Sequence, residues 1–168
     1  NNRFCHDYKR NKPTTFIIYF DANNLYGWAM SQYLPIGDFR NEKKWNIKEI
    51  LNTPADAKRG YFITCDLKIP KKLHDYFNDY PTAPERMKPE WKCLSPLQKK
   101  YYESEKAYKP TEKLCPNLLP KKDYMLHDRN LQLDTQLGAK ITAVKSVISF
   151  NQDPIMKEYI EFNTAKRK

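Results

Sequence analysis

Residues 15–30 read TFIIYFDANNLYGWAM: an unbroken apolar run, Phe16 to Phe20, ends on a single carboxylate, Asp21, and passes through Asn23 and Asn24 into a tyrosine-containing turn. Five successive apolar residues, bounded by Pro13 and the asparagine pair, predict a buried strand over Thr15 to Asp21. A short helix is expected behind it, over Leu25 to Gln32. A carboxylate fixed at a strand end suits a hard cation such as Mg²⁺, which prefers oxygen ligands. The free N–H groups of the turn around Asn24 to Tyr26 suit a phosphate. An Asp after a strand also serves as an ordinary turn former or helix cap, so this pattern alone leaves both roles open.

Working outward, the remaining elements follow from periodicity and punctuation. With 4 glycines, 12 prolines and 12 tyrosines, turns are made mainly by proline and by Asn or Asp. A helical piece is expected over Trp45 to Leu51, and a second strand over Tyr61 to Leu67 that pairs with the first. Further on, the pattern predicts a strand over Tyr124 to His127 and a helix near Asn130 to Leu137 closed by Gly138. A long strand follows over Lys140 to Phe150, with Val144, Ile148 and Phe150 on one face. A last helix is capped by Asp153 and opened by Pro154, with Ile155, Tyr159 and Phe162 along one side. The fold class is α+β.

The charge balance narrows the partners. Thirty Lys and Arg against 20 Asp and Glu leave a net charge of +10 in 168 residues, which favours phosphate-rich polymers or anionic surfaces. From Arg86 to Lys122 ten basic residues face four glutamates, with five prolines and the aromatics Trp91, Tyr101, Tyr102 and Tyr108 interleaved. That stretch is either a solvated loop or a surface that tracks phosphates and stacks bases. Its Lys99, Lys100, Lys121 and Lys122 are the candidate DNA contacts. Cys5, Cys65, Cys93 and Cys115 form no C-x-x-C pair, so neither a zinc site nor a disulfide framework is indicated. No apolar run approaches the roughly 20 residues of a membrane span, and no secretory signal pattern is seen. The expectation is a protein without a membrane partner in a reducing, intracellular compartment, with nucleus, mitochondrion and virus association left open.

The stretch Asp21-Ala22-Asn23-Asn24-Leu25-Tyr26 resembles motif A of family B DNA polymerases, D-x-x-x-L-Y. The longer YFDANNLYGWAMSQYLP is similar to the protein-primed subgroup found in organelles, viruses and mobile elements. GYFITCDLKIPKKLHDYFNDYPTAPE, CLSPLQ, LCPNLLPKKDYMLH and YIEFNTAKRK extend the likeness, in order, along nearly the whole chain. The resemblance implies a partial polymerase palm, an antiparallel sheet with packed helices. Residues 1–69 would be palm with the motif A strand, 70–122 an inserted basic region, 123–152 palm again, and 153–168 the start of the fingers.

It implies template-directed deoxynucleotidyl transfer with two Mg²⁺ ions. Asp21 would ligate the ions, joined by the Ala22 carbonyl, and the amides from Asn24 through Leu25 to Tyr26 would hold the triphosphate. The Tyr26 ring would exclude a ribose 2′-hydroxyl. Arg167, or its neighbour Lys166, would meet the triphosphate from the fingers. The partners implied are primer-template DNA, deoxynucleoside triphosphates and a terminal priming protein. Many family members carry proline where this chain has Gly27. The family's lysine helix and Asp-Thr-Asp hairpin would lie beyond Lys168; Leu133-Asp134-Thr135-Gln136 lacks the second acid and falls in a predicted helix. The His74-Asp75 and His127-Asp128 pairs have no nucleophile beside them; Asp66, at the end of the second strand, could neighbour Asp21 across a sheet, but a structural or surface role is expected for it. The alternative reading is a non-catalytic basic remnant that binds nucleic acid.

Overall fold

Alternation along Arg59–Lys68 builds the central strand of the sheet: Ile63, Cys65 and Leu67 are buried on one face while Phe62 and Thr64 point to the other. The computed structural model describes residues 1–105 and 108–167. In chain order the elements are α1 (Leu25–Met30), β1 (Leu34–Asn41), α2 (Ile47–Ile50), β2 (Arg59–Lys68), α3 (His74–Phe77), β3 (Glu85–Met87), α4 (Pro96–Glu105), β4 (Lys113–Cys115), β5 (Lys121–His127), α5 (Asp128–Gln136), β6 (Lys140–Asp153) and α6 (Lys157–Lys166). The class is α+β, and the main sheet is antiparallel in the order β1-β6-β2-β5. The chain divides into two compact units, residues 33–153 and residues 1–32 with 154–168.

The larger unit owns the core. Ile50 of α2 and Leu131 of α5 pack on Ile63, Cys65, Leu67, Leu126 and Val147 of the sheet. Helix α2 is only four residues long, and its start is tied by a reciprocal cap. Asn46 accepts from the Lys48 N–H at 3.1 Å and donates to Glu49 at 2.8 Å. Gln132 of α5 donates to the Ile50 and Thr53 carbonyls at the end of α2, locking the two helices together over the sheet. On the opposite face Phe150 is fully buried, its ring 4.7 Å from that of Phe62 and 5.8 Å from that of Phe39. Gly60 makes room for it, because a Cβ there would lie 2.6 Å from the Phe150 ring.

Strand β6 departs from simple alternation. It pairs Thr64 with Ser146 but Cys65 with Val144, and Asp66 with Ala143 but Leu67 with Ile141, so Lys145 and Thr142 are bulged out. Each extra residue flips the side-chain parity. Val144 therefore shares the core face with Val147 and Ile141 rather than the Phe150 face expected for it. Asp66 is structural. It accepts from the Asp123 N–H at 2.9 Å where β5 bulges, with Asp123 at φ 49°, and it pairs with Lys145 at 3.3 Å. The backbone hydrogen bond leads in holding its carboxyl below the usual aspartate range, despite partial desolvation.

The stretch from Arg86 to Lys122 has structure of its own. Strands β3 and β4 form a two-stranded antiparallel ladder, and α4 follows a 3₁₀ turn over Trp91–Cys93. Trp91, Tyr102 and Tyr108 pack edge to face, with centroids 5.1–5.3 Å apart along the chain of contacts. Two of the interleaved aromatics thus serve a local core, since Tyr102 and Tyr108 are half-buried there.

The smaller unit differs from expectation at its first element. Residues 13–22 form neither helix nor strand, and Phe16 to Phe20 all lie exposed. The expected pairing with β2 has no free edge to use, since β6 and β5 occupy both sides of that strand. Helix α6 also starts later than expected. Asp153 is the last residue of β6, bound to Lys58 at 2.6 Å, and makes no cap.

Candidate functional site

The site that the sequence singles out lies in the smaller unit. Helix α1 opens on Asn24 in the left-handed conformation, φ 55° and ψ 41°, a region asparagine tolerates better than most residues. The N–H groups of Leu25, Tyr26 and Gly27 then find no backbone acceptor, as first-turn amides do not. Gly27 is the one buried residue of α1. A Cβ there would meet the Asn24 carboxamide at 2.4–2.6 Å, so this glycine is what allows the asparagine side chain to fold over the helix start. That gives Gly27 a steric function that proline could not share.

A cleft of about 200 Å³ connects this turn to α6. Asn24 and Met30 form one wall, and Tyr159, Ile160, Asn163, Thr164 and Arg167 form the other. Two of the residues expected to hold a nucleotide, Asn24 and Arg167, thus share a cleft although they stand far apart in sequence. Arg167 also sits just past the last turn of α6, where a cation is favoured by the helix dipole. Lys166 is turned elsewhere, with its ammonium 5.5 Å from the centre of the Phe162 ring. Asp21, Ala22, Leu25 and Tyr26 are exposed and do not line the cleft; Tyr26 is 86 % exposed.

No family model, no curated protein and no solved structure matches this chain. The reading of the cleft therefore rests on its own residues. Sequence reasoning missed Tyr159, Asn163 and Thr164. Their signal is helical spacing, since 159, 160, 163, 164 and 167 fall on one face of α6. The apolar stripe expected on that helix, Ile155, Tyr159 and Phe162, is instead exposed at all three positions, and Ile155 precedes the helix. Asn163 and Thr164 currently donate to the Tyr159 and Ile160 carbonyls, each at 2.8 Å.

The residues do not by themselves fit a pair of Mg²⁺ ions. Among the described residues no group of three or more His, Cys, Asp or Glu side chains is gathered for a metal, and Asp21 brings a single carboxylate. The His127-Asp128 pair is structural. His127 and Asp128 are in direct contact at the junction of β5 and α5, where both accept from the Arg129 N–H. His74 Nε2 lies 3.2 Å from the Ile69 carbonyl.

The candidate DNA contacts divide. Lys100 and Lys122 are exposed and Lys99 is half-buried. Lys121 is a correction: its side chain is 2 % exposed, and its ammonium is held by Glu85 at 2.7 Å and by the side-chain Oδ1 of Asn117. Burial alone would raise the Glu85 carboxyl, but hydrogen bonds from Lys121 and Asn117 and the ammonium charge overcome it, leaving the acid below its usual range. Lys121 is therefore a structural charge, unavailable to a phosphate. Among the described residues no helix is long and apolar enough to cross a membrane.

Proposed function

We propose that this chain is part of a template-directed DNA polymerase of the protein-primed family B type, and that the cleft between Asn24 and Arg167 receives the triphosphate of an incoming deoxynucleotide. The observation that carries this reading is the convergence of those two residues, far apart in sequence, on one cleft. Phosphoryl transfer is catalysed largely by positioning and by electrostatic stabilisation. An arginine supplies a fixed fork of donors matched to phosphate oxygens, and the Asn24 carboxamide would add a neutral donor from the opposite wall. The exposed Tyr26 ring would check the sugar. Mg²⁺ enters through the family resemblance, with Asp21 as the residue of this chain to meet it; Lys99, Lys100 and Lys122 would follow primer-template DNA, and a terminal protein would supply the primer.

Binding distinguishes this from the second reading, a basic nucleic-acid binder without chemistry, which the net charge of +10 favours. Titration of the chain with a deoxynucleoside triphosphate and with the matching deoxynucleoside should show tighter binding of the triphosphate. Arg167→Ala should weaken the triphosphate about tenfold and leave the nucleoside unchanged, the loss expected for one charge-assisted hydrogen bond at an exposed site. Equal affinity for both ligands, together with salt-sensitive binding of DNA, would support the basic binder instead.

A further inference from the structure

We propose that Met87, Cys93 and Cys115 form a binding site for a soft monovalent cation, with Cu(I) the ion that fits it best. All three sulfur atoms belong to residues lining one cleft of about 350 Å³ in the larger unit. The β3–β4 ladder sets two of them. Glu85 stands opposite Cys115 and Met87 opposite Lys113, so Met87 and Cys115 are diagonal neighbours on the same face, a relation that leaves long side chains within reach of each other. Cys93 ends a 3₁₀ turn and lines the same cleft. Both thiols are free, Cys93 exposed and Cys115 half-buried.

The donor set selects the ion. No carboxylate or imidazole lines the cleft, which disfavours Mg²⁺ and Ca²⁺, and three sulfurs fall short of the four ligands a structural Zn²⁺ takes. Thiolate and thioether sulfur together select Cu(I). The Met87 sulfur is already oriented, accepting from Asn117 Nδ2 at 3.3 Å with a lone pair to spare. The Cys115 thiol now donates weakly to the Lys113 carbonyl at 3.5 Å and is freed by losing its proton. On binding, two S–H bonds break and two thiolate bonds plus one dative thioether bond to copper form. Two protons pass to the buffer, and no electrons are transferred. The resulting single negative charge faces Lys113 on β4, with Lys92 paired to Glu90 on the turn, the Tyr108 hydroxyl nearby, and Glu85 already neutralised by Lys121.

The test is an anaerobic titration of the full chain with Cu(I) against a chromophoric chelator, followed by thiolate-to-copper absorption, with Zn²⁺ run in parallel. One Cu(I) per chain is expected. Cys93→Ser or Cys115→Ser should each lower the affinity on the order of 100-fold, and Met87→Leu by about tenfold, at or beyond the scale on which metal sites respond to loss of a supporting group. Cys5→Ser should change nothing. A second readout needs no variant: Cu(I) should protect Cys93 and Cys115 of the native chain from alkylation while Cys5 remains reactive. Retention of full affinity by Cys115→Ser, protection that falls on Cys5, or tighter binding of Zn²⁺ than of Cu(I) would overturn the proposal.

Discussion

The two units of this chain invert the usual relation between signature and stability. Residues 33–153 hold the sheet, the packed helices and nearly every buried side chain, yet carry none of the residues expected to touch a nucleotide. The unit made by residues 1–32 and 154–168 carries Asp21, Tyr26 and Arg167, and its only buried residue among those described is Gly27. Ile63, in the first, is fully buried; Ile18, in the apolar run of the second, is 68 % exposed. The same residue type therefore does opposite things in the two places. In the larger unit apolar side chains hold the fold, while in the smaller one they are surface.

The sharpest break of that comparison is a matched pair of truncations. Ile63→Ala should destabilise the chain by about 2–5 kcal/mol, the range for a buried isoleucine that leaves a cavity, measured by chemical denaturation. Ile18→Ala should stay within about 0.5 kcal/mol, as exposed substitutions do. A loss at Ile18 as large as that at Ile63 would mean that the apolar run is covered in solution.

Next in size is the buried charge of the larger unit. Glu85→Gln leaves the Lys121 ammonium buried without its counter-charge and should cost about 3 kcal/mol, read by the same denaturation. The sign of its pH dependence follows from the lowered pKa. Because the folded Glu85 titrates below the ordinary glutamate value of 4.5, its contribution is complete above that pH and is lost as pH falls through the folded value. The wild-type chain should therefore lose stability on acidification more steeply than the Glu85→Gln variant.

Smaller effects probe the joints. Gly60→Ala presses a methyl against the Phe150 ring and should destabilise by about 1–3 kcal/mol, the cost of overpacking; thermal melting would detect it. Asn46→Ala removes the cap of α2 and should cost about 1 kcal/mol, again by denaturation.

How much of this was legible in sequence varies by element, for physical reasons. Strands β2, β5 and β6 announce themselves by alternation or by β-branched runs, and α5 by its closing glycine. Gly138 does adopt a positive φ of 103°. Strand β1 hides behind Pro35, Gly37 and Asp38, residues that normally break strands. It survives as an edge with two register shifts, pinned where Arg59 reaches Asp38 at 3.1 Å and the Ser149 hydroxyl at 2.8 Å. Strands β3 and β4, three residues each, are too short to show a period. The bulges at Lys145 and Thr142 leave no mark in composition, so simple alternation puts Val144 on the wrong face. In the candidate site, Asn24 and Arg167 were reached through the family resemblance, whereas Tyr159, Asn163 and Thr164 needed the geometry of α6. The run from Phe16 to Phe20 carries every mark of a strand, but β2, the strand it was expected to join, already has β5 and β6 on its two edges.

The most direct measurement is a deoxynucleoside triphosphate titration of the whole chain with Mg²⁺ present, followed by backbone amide chemical shifts. The expected result is movement of the amides of residues 24–30 and 159–167, none over β2 or β6, with about tenfold more triphosphate needed to reach it in Arg167→Ala. Shifts concentrated in the sheet of the larger unit, or shifts near α1 that persist unchanged in Arg167→Ala, would contradict the assignment of the nucleotide to the smaller unit.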